Sequence, residues 1–103
     1  MIRIIWTRTA VSQLSHIREM DLRLQVYASV QGLRQFPQKG RLTPEAALVP
    51  ELQFPEELRE IVFPKLFRVF YTYDKKGSKI HVMGIAFHGQ EMDRNGLLKL
   101  LSD

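Results

Sequence analysis

Apolar and polar positions alternate from the first residues. Ile2, Ile4 and Trp6 fall on one side of an extended chain, with Arg3, Ile5 and Thr7 on the other. A period of two predicts a short strand. The period then lengthens. Ala10, Leu14 and Ile17 recur at i, i+4 and i+7 with Val11 beside them, and Ser12, Ser15, Arg18 and Glu19 fall mostly opposite. This predicts an amphipathic helix of about three turns, with Thr7 or Thr9 placed to cap it through the hydroxyl. A second helix is predicted from Asp21 as cap. Leu22, Val26, Val30 and Leu33 form its apolar stripe, and Tyr27 and Phe36 widen it. Gly32 weakens its last turn and Pro37 ends it. The two helices have almost no linker, so they are expected to form an antiparallel hairpin.

Residues 37–56 hold Pro37, Pro44, Pro50 and Pro55 together with Gly40. This reads as a connection with a short helical turn over Glu45–Leu48. Its length makes it a candidate functional or partner-docking loop. Three strands follow, over Leu58–Phe63, Leu66–Tyr73 and Lys79–Phe87. Residues 74–78 form a hairpin turn in which Gly77 is available for a positive φ. Leu97–Leu101, after Asn95-Gly96, reads as a short final helix or a loose tail. The expectation is one α+β domain over residues 1–103, in the order β-α-α-β-β-β. The helix hairpin packs on one face of a small, antiparallel-rich sheet.

Strand parity isolates one residue. Phe67, Val69, Tyr71 and Tyr73 share a face, and Leu66, Arg68, Phe70 and Thr72 share the other. Arg59, Ile61 and Phe63 share a face in the preceding strand. In the last strand strict alternation sets Ile80, Val82, Gly84 and Ala86 against Lys79, His81, Met83, Ile85 and Phe87. Arginine is seldom buried without a partner, so Arg68 is expected on an exposed, concave face. Two readings stay open for it: an ion pair with Glu60 on the neighbouring strand, or a guanidinium aimed at phosphate.

Composition narrows the class. A chain of 103 residues with 45% hydrophobic and 25% charged residues can build one ordinary globular core. With no cysteine, disulfides, thiolate nucleophiles and Cys-type zinc sites are excluded. The three His are widely spaced and form no metal pattern, so neither metal nor cofactor is expected. No leader or membrane span is apparent, and the expected location is the cytoplasm. The net charge is +4, and residues 59–79 alone carry that excess, with six Lys or Arg against Glu60 and Asp74. A local basic excess suits an anionic partner, nucleic acid or an acidic protein segment, though a small domain also needs net charge for solubility.

Four segments, in order, resemble the RelE/ParE superfamily of bacterial type II toxin–antitoxin toxins. Phe36-Pro37-Gln38-Lys39-Gly40-Arg41 is similar to the family's Pro-x-x-Gly-Arg element. Leu58-Arg59-Glu60-Ile61 is similar to its first central strand. Phe67-Arg68-Val69-Phe70-Tyr71 is similar to its aromatic-Arg-aliphatic-x-Tyr strand. Ile85-Ala86-Phe87-His88-Gly89-Gln90 is similar to the end of its last strand. The resemblance implies a cognate antitoxin partner, a toxin–antitoxin hetero-oligomer, and the ribosome with its mRNA or DNA gyrase as target. The outer faces of the helix hairpin, the strand edge at Ile2–Trp6 and the 37–56 connection are the places expected to meet an antitoxin.

RelE-like members cut mRNA, and that chemistry can be set against the residues. Attack by a 2′-hydroxyl needs a base, cations for the phosphorane and an acid for the departing 5′-oxygen. The resemblance implies a catalytic set of Arg59, Arg68 and His88, with Arg59 activating the hydroxyl, Arg68 on the phosphate and His88 as acid. Imidazole is the side chain that changes charge near neutral pH. Arg41, Lys65 and Lys79 are candidate nucleic-acid contacts. Glu60 is chemically a base but alternates away from Arg59, and Tyr71 reads as core or a structural hydroxyl. The sequence also departs from the nuclease branch. Ile61 stands where a second basic residue is frequent, no Tyr follows Tyr73, and the His88–Asp93 ending has Gln90 and Glu91 in place of Arg. These favour a ParE-like toxin that inhibits gyrase by binding. An inactive toxin relative or a plain nucleic-acid-binding domain is the third reading.

Overall fold

A computed structural model describes residues 1–50, 57–90 and 93–101. Pro55 of the proline-rich connection and Glu91 and Met92 of the chain's ending lie outside them. The elements run β1 (Arg3–Trp6), α1 (Arg8–Ser15), α2 (Met20–Gly32), β2 (Arg41–Leu42), a 3-10 turn (Pro44–Leu48), β3 (Leu58–Phe63), β4 (Phe67–Asp74), β5 (Lys79–Phe87) and α3 (Arg94–Leu101). The sheet order is β1-β5-β4-β3-β2. β1 pairs parallel with β5, and the other three ladders are antiparallel. The expected α+β order stands, with β2 added. The two-residue β2 carries no periodic signal of its own.

One sheet face receives both helices. Ala10, Ile17, Val26 and Val30 pack with Phe67, Val69, Val82 and Ile85 in one apolar cluster. Thr7 caps α1, accepting from the Ala10 amide at 3.1 Å. Glu19, not Asp21, holds the N-cap position of α2, and Asp21 stands in its first turn. Acidic residues there favour the helix dipole. Tyr27 and Phe36 do not widen the buried stripe, being 52% and 65% exposed. Tyr27 lies off the Val26–Val30 face, and Phe36 follows the end of the helix.

A bulge overturns the strict alternation expected in β5. The β4–β5 register slips between Phe70 and Tyr71: Phe70 pairs Gly84 and Tyr71 pairs Val82. Met83 is the extra residue, so Val82 and Ile85 share the helix face while Ala86 moves to the other. Beyond Trp6, β1 no longer covers the edge of β5. Two side chains of the first helical segment fill in there. Thr7 Oγ1 donates to the Met83 carbonyl at 3.0 Å, and Gln13 Oε1 accepts from the Ile85 amide at 2.6 Å. They satisfy backbone groups that burial would otherwise penalise.

The second face is not left open. Leu97, Leu100 and Leu101 of α3 pack on Phe70, Ala86, Leu58 and Val49. Asn95-Gly96, expected to precede the final helix, lies in its first turn. Asp93 Oδ1 accepts from the Gly96 amide at 2.8 Å, as a capping carboxylate does. In the β4–β5 turn Asp74 Oδ1 accepts from the Gly77 amide, and Ser78 rather than Gly77 takes the positive φ, 51°.

The Pro37–Arg41 segment is tied down by a buried phenol. Tyr71 Oη donates to the Pro37 carbonyl and accepts from the Gly40 amide, both at 2.9 Å. Burial pushes the Tyr71 pKa up. A Cβ on Gly40 would stand 2.6 Å from the Glu60 carbonyl and 2.8 Å from Tyr71 Oη, so glycine is required for the close approach. Tyr71→Phe is expected to cost about 1–3 kcal/mol by orphaning the Gly40 amide, and Gly40→Ala to cost no less. Urea unfolding midpoints measure both, and two unchanged midpoints would refute the clamp.

Candidate functional site

The site is built around a carboxylate without access to water. The Glu60 side chain is fully buried on β3. Ionised carboxylates are tolerated there only when paired and hydrogen-bonded. Arg41 Nε on β2 lies 2.6 Å from Glu60 Oε2. Arg68 Nη1 on β4 lies 3.2 Å from Oε1. Arg68 continues the row: its Nη2 and Nη1 meet Glu45 of the 3-10 turn at 2.6 and 3.1 Å. Its guanidinium carbon stands 5.2 Å from the Phe70 ring centroid, within cation–π range. The guanidinium has five N–H donors, and these contacts leave two without a partner among the described residues.

Arg68 is therefore only partly exposed, not held out into solvent as expected. Its side chain is 21% exposed. The ion pair foreseen with Glu60 is present, and a second carboxylate joins it. The paired carboxylates hold the Arg68 pKa above the usual arginine range. For Glu45, the hydrogen bond from Arg68 outweighs partial burial and lowers the pKa. Nothing in the sequence flags Glu45. The residue lies in a loop, outside any strand register, and a Pro-Glu pair opening a helical turn is unremarkable.

Arg68 also lines an open hollow of about 280 Å³ with Lys65 and His88. Each arrives from a different element. Lys65 is carried by the β3–β4 turn at φ 63°. His88 follows β5, and its amide donates to the Leu66 carbonyl at 2.8 Å. Behind it Gly89 takes φ +85°, and Gln90 Oε1 accepts from the Phe87 amide at 3.0 Å. The turn at the end of β5 is thereby fastened beside the turn that opens β4. His88 itself is exposed. Two cations and an imidazole around one hollow can bind an oxyanion and move a proton. Among the described residues no three His, Asp or Glu gather as a metal site.

The remaining candidates stand elsewhere. Arg59 pairs across with Tyr71, and Arg68 with Val62, so the two arginines project from opposite faces of the sheet. Arg59 donates to the Gly40 carbonyl at 2.7 Å and the Gln38 carbonyl at 3.4 Å, and meets Glu57 at 2.9 Å. It fastens the Pro37–Arg41 segment and does not join Arg68 and His88. Arg41 is spent on Glu60 while remaining 59% exposed. Lys79 opens β5 and lies roughly 25 Å along the strand from His88. Glu60, enclosed between two arginines, has no path to a substrate hydroxyl.

The lowered Glu45 pKa makes a pH prediction. A carboxylate whose folded pKa lies below its unfolded value of about 4.3 stabilises the fold fully above that value. The contribution is lost as pH falls through the depressed folded value. Thermal or urea unfolding of Glu45→Gln is expected to run up to about 1 kcal/mol below the parent at pH 6–7 and to converge with it under about pH 4. A constant gap across that range would contradict the ion pair's role.

The sequence matches no protein-family model and no characterised protein. Its structure does resemble solved ones. The isolated Escherichia coli RelE toxin superposes with a TM-score of 0.65 over 96% of this chain and 97% of that one, at 11% identity. A chain of the intact E. coli RelBE toxin–antitoxin complex gives 0.63 over 84% and 95%, also at 11% identity. A chain of the RelBE2 toxin–antitoxin complex of Mycobacterium tuberculosis gives 0.59 over 84% and 91%, at 14% identity. The chain, three helices on a five-stranded mixed sheet, has the fold of the solved RelE toxins.

Proposed function

We propose that the chain is the toxin of a toxin–antitoxin pair and a metal-independent endoribonuclease acting on mRNA at the ribosome, in the cytoplasm. The meeting of Lys65, Arg68 and His88 around one open hollow carries this reading. The scissile phosphate sits against Arg68 and Lys65. The adjacent 2′-hydroxyl attacks phosphorus, its proton passing to water, and the P–O5′ bond breaks. His88 in its protonated form donates to the departing 5′-oxygen, leaving a 2′,3′-cyclic phosphate. No side chain described in the hollow serves as base, which is a physical reason for such a site to need its target to orient the hydroxyl. Glu45 occupies the guanidinium a phosphate would use, so substrate must displace or share it.

The antitoxin is expected over the outer side of α2. Met20, Leu24 and Tyr27 recur there at i, i+4 and i+7, exposed by 58%, 58% and 52%. An apolar stripe of this spacing suits a helical or extended partner segment.

A second reading keeps the toxin and drops the catalysis. Arg59 is locked into a loop and Arg68 is held by two carboxylates, which suits a toxin that inhibits DNA gyrase by binding alone.

Induction without antitoxin, following mRNA integrity and DNA supercoiling in the same cells, separates the two. The nuclease reading expects rapid mRNA loss with supercoiling intact. His88→Ala is the informative variant because the residue is exposed and its loss leaves the core untouched. It is expected to lower cleavage by about a hundredfold or more and restore growth, with an unchanged melting temperature. Arg68→Ala is less clean, since it also strips Glu60 of a partner. Retained mRNA cleavage in folded His88→Ala rejects the proposed acid. Blocked supercoiling with intact mRNA rejects the nuclease.

A further inference from the structure

At the far end of β4, roughly 17 Å along the strand from Arg68, two hollows adjoin. They measure about 490 and 430 Å³ and share Gln38, Tyr73 and Lys75. Both are in the size range of small-ligand sites. Phe36 walls the larger one and is 65% exposed, an unusual placement for a phenylalanine with no structural task there. Lys39 and Lys75 rim that hollow, and Lys75 and Lys76 rim its neighbour. None of these lysines is ion-paired among the described residues. The acids nearby are already engaged: Glu57 meets Arg59, and Asp74 accepts from the Gly77 amide.

We infer that this groove binds a segment of single-stranded nucleic acid, separate from the hollow at His88. A base lies against the Phe36 and Tyr73 rings, and the flanking phosphates pass over Lys39, Lys75 and Lys76. An exposed ring, Phe36, and a partly buried one, Tyr73, beside unpaired cations suit an unstacked strand, the rings taking bases and the ammonium groups taking backbone. An acidic peptide would use the lysines and leave the rings idle. The groove makes no demand on cleavage, so it stands whether or not the His88 hollow cuts RNA.

The test is fluorescence anisotropy with the full chain and two labelled twelve-nucleotide probes, one of uncleavable 2′-O-methyl RNA and one of DNA. Phe36→Ala is expected to weaken binding about tenfold. The double variant Lys75→Glu/Lys76→Glu is expected to weaken it further and flatten the salt dependence by about 0.7 per lost phosphate contact. Both are expected to melt as the parent does. Tighter binding of the RNA probe than of DNA identifies the source as RNA, and the reverse identifies DNA. Unchanged affinity in both folded variants overturns the inference. A polyglutamate peptide binding as tightly as the oligonucleotides and lost in the same variants also overturns it, assigning the surface to an acidic segment. Because the RNA probe cannot be cut, failure here is read separately from failure of the nuclease reading, which rests on mRNA loss in cells.

Discussion

Glu60 organises this protein. A carboxylate with no solvent contact has to be matched on each oxygen, and the chain matches it with arginines from two other strands. The pairing with Arg41 draws the first part of the proline-bearing connection into the sheet as β2. The pairing with Arg68 orients a guanidinium that then captures Glu45 and holds the 3-10 turn against β4. Four elements, β2, the 3-10 turn, β3 and β4, are thus joined by one alternating row of charge. Removing Arg68 leaves Oε1 of the buried carboxylate without its partner, and Arg41 alone then compensates the charge. The same row sets the condition on function, because the arginine best placed for an anion is the one the fold already uses.

The two faces of the sheet have divided the work. The α1–α2 face is apolar throughout its middle and is closed at one end by Tyr71, Gly40 and Arg59, which hold the Pro37–Arg41 segment in place. The other face carries the charge row and is partly roofed by α3. Arg59 and Arg68 are nine residues apart in sequence and lie on neighbouring strands, yet they serve different faces and different tasks. What remains accessible at the β4–β5 end is Lys65, His88 and the free donors of Arg68. This constellation differs from the one the family resemblance implied, with Lys65 standing where Arg59 was expected, and the backbone turns bring it together.

Much of this architecture is legible in the periodicities. The three long strands, the first helix and its threonine cap, and the buried stripe of α2 from Val26 to Leu33 follow from local pattern, because each element buries one face and exposes another. The Arg68–Glu60 pair was legible too, since antiparallel neighbours of opposite charge at matched parity have few other options. The larger misses share one cause. The Met83 bulge, the two-residue β2 and the approach of Glu45 each depend on a neighbour far away in the chain, and so does the seat of the final helix, which was itself among the expectations. Thr7 and Gln13 stabilise the bulge, Glu60 recruits β2, and Phe70 offers α3 its seat. No local window contains those partners.

Taken alone, the amino-acid sequence determined the kinds of elements, their order and the chemical types available: arginines, lysines and one well-placed histidine, with no thiol. Those are properties of short stretches of chain, where side-chain period and turn chemistry act. Which of these groups meet was decided only by the tertiary structure. A bulge of one residue, a strand register and a loop carboxylate determine whether a guanidinium faces a ligand or its own protein. The bulge and the loop carboxylate arise from contacts between residues 76 and 23 positions apart.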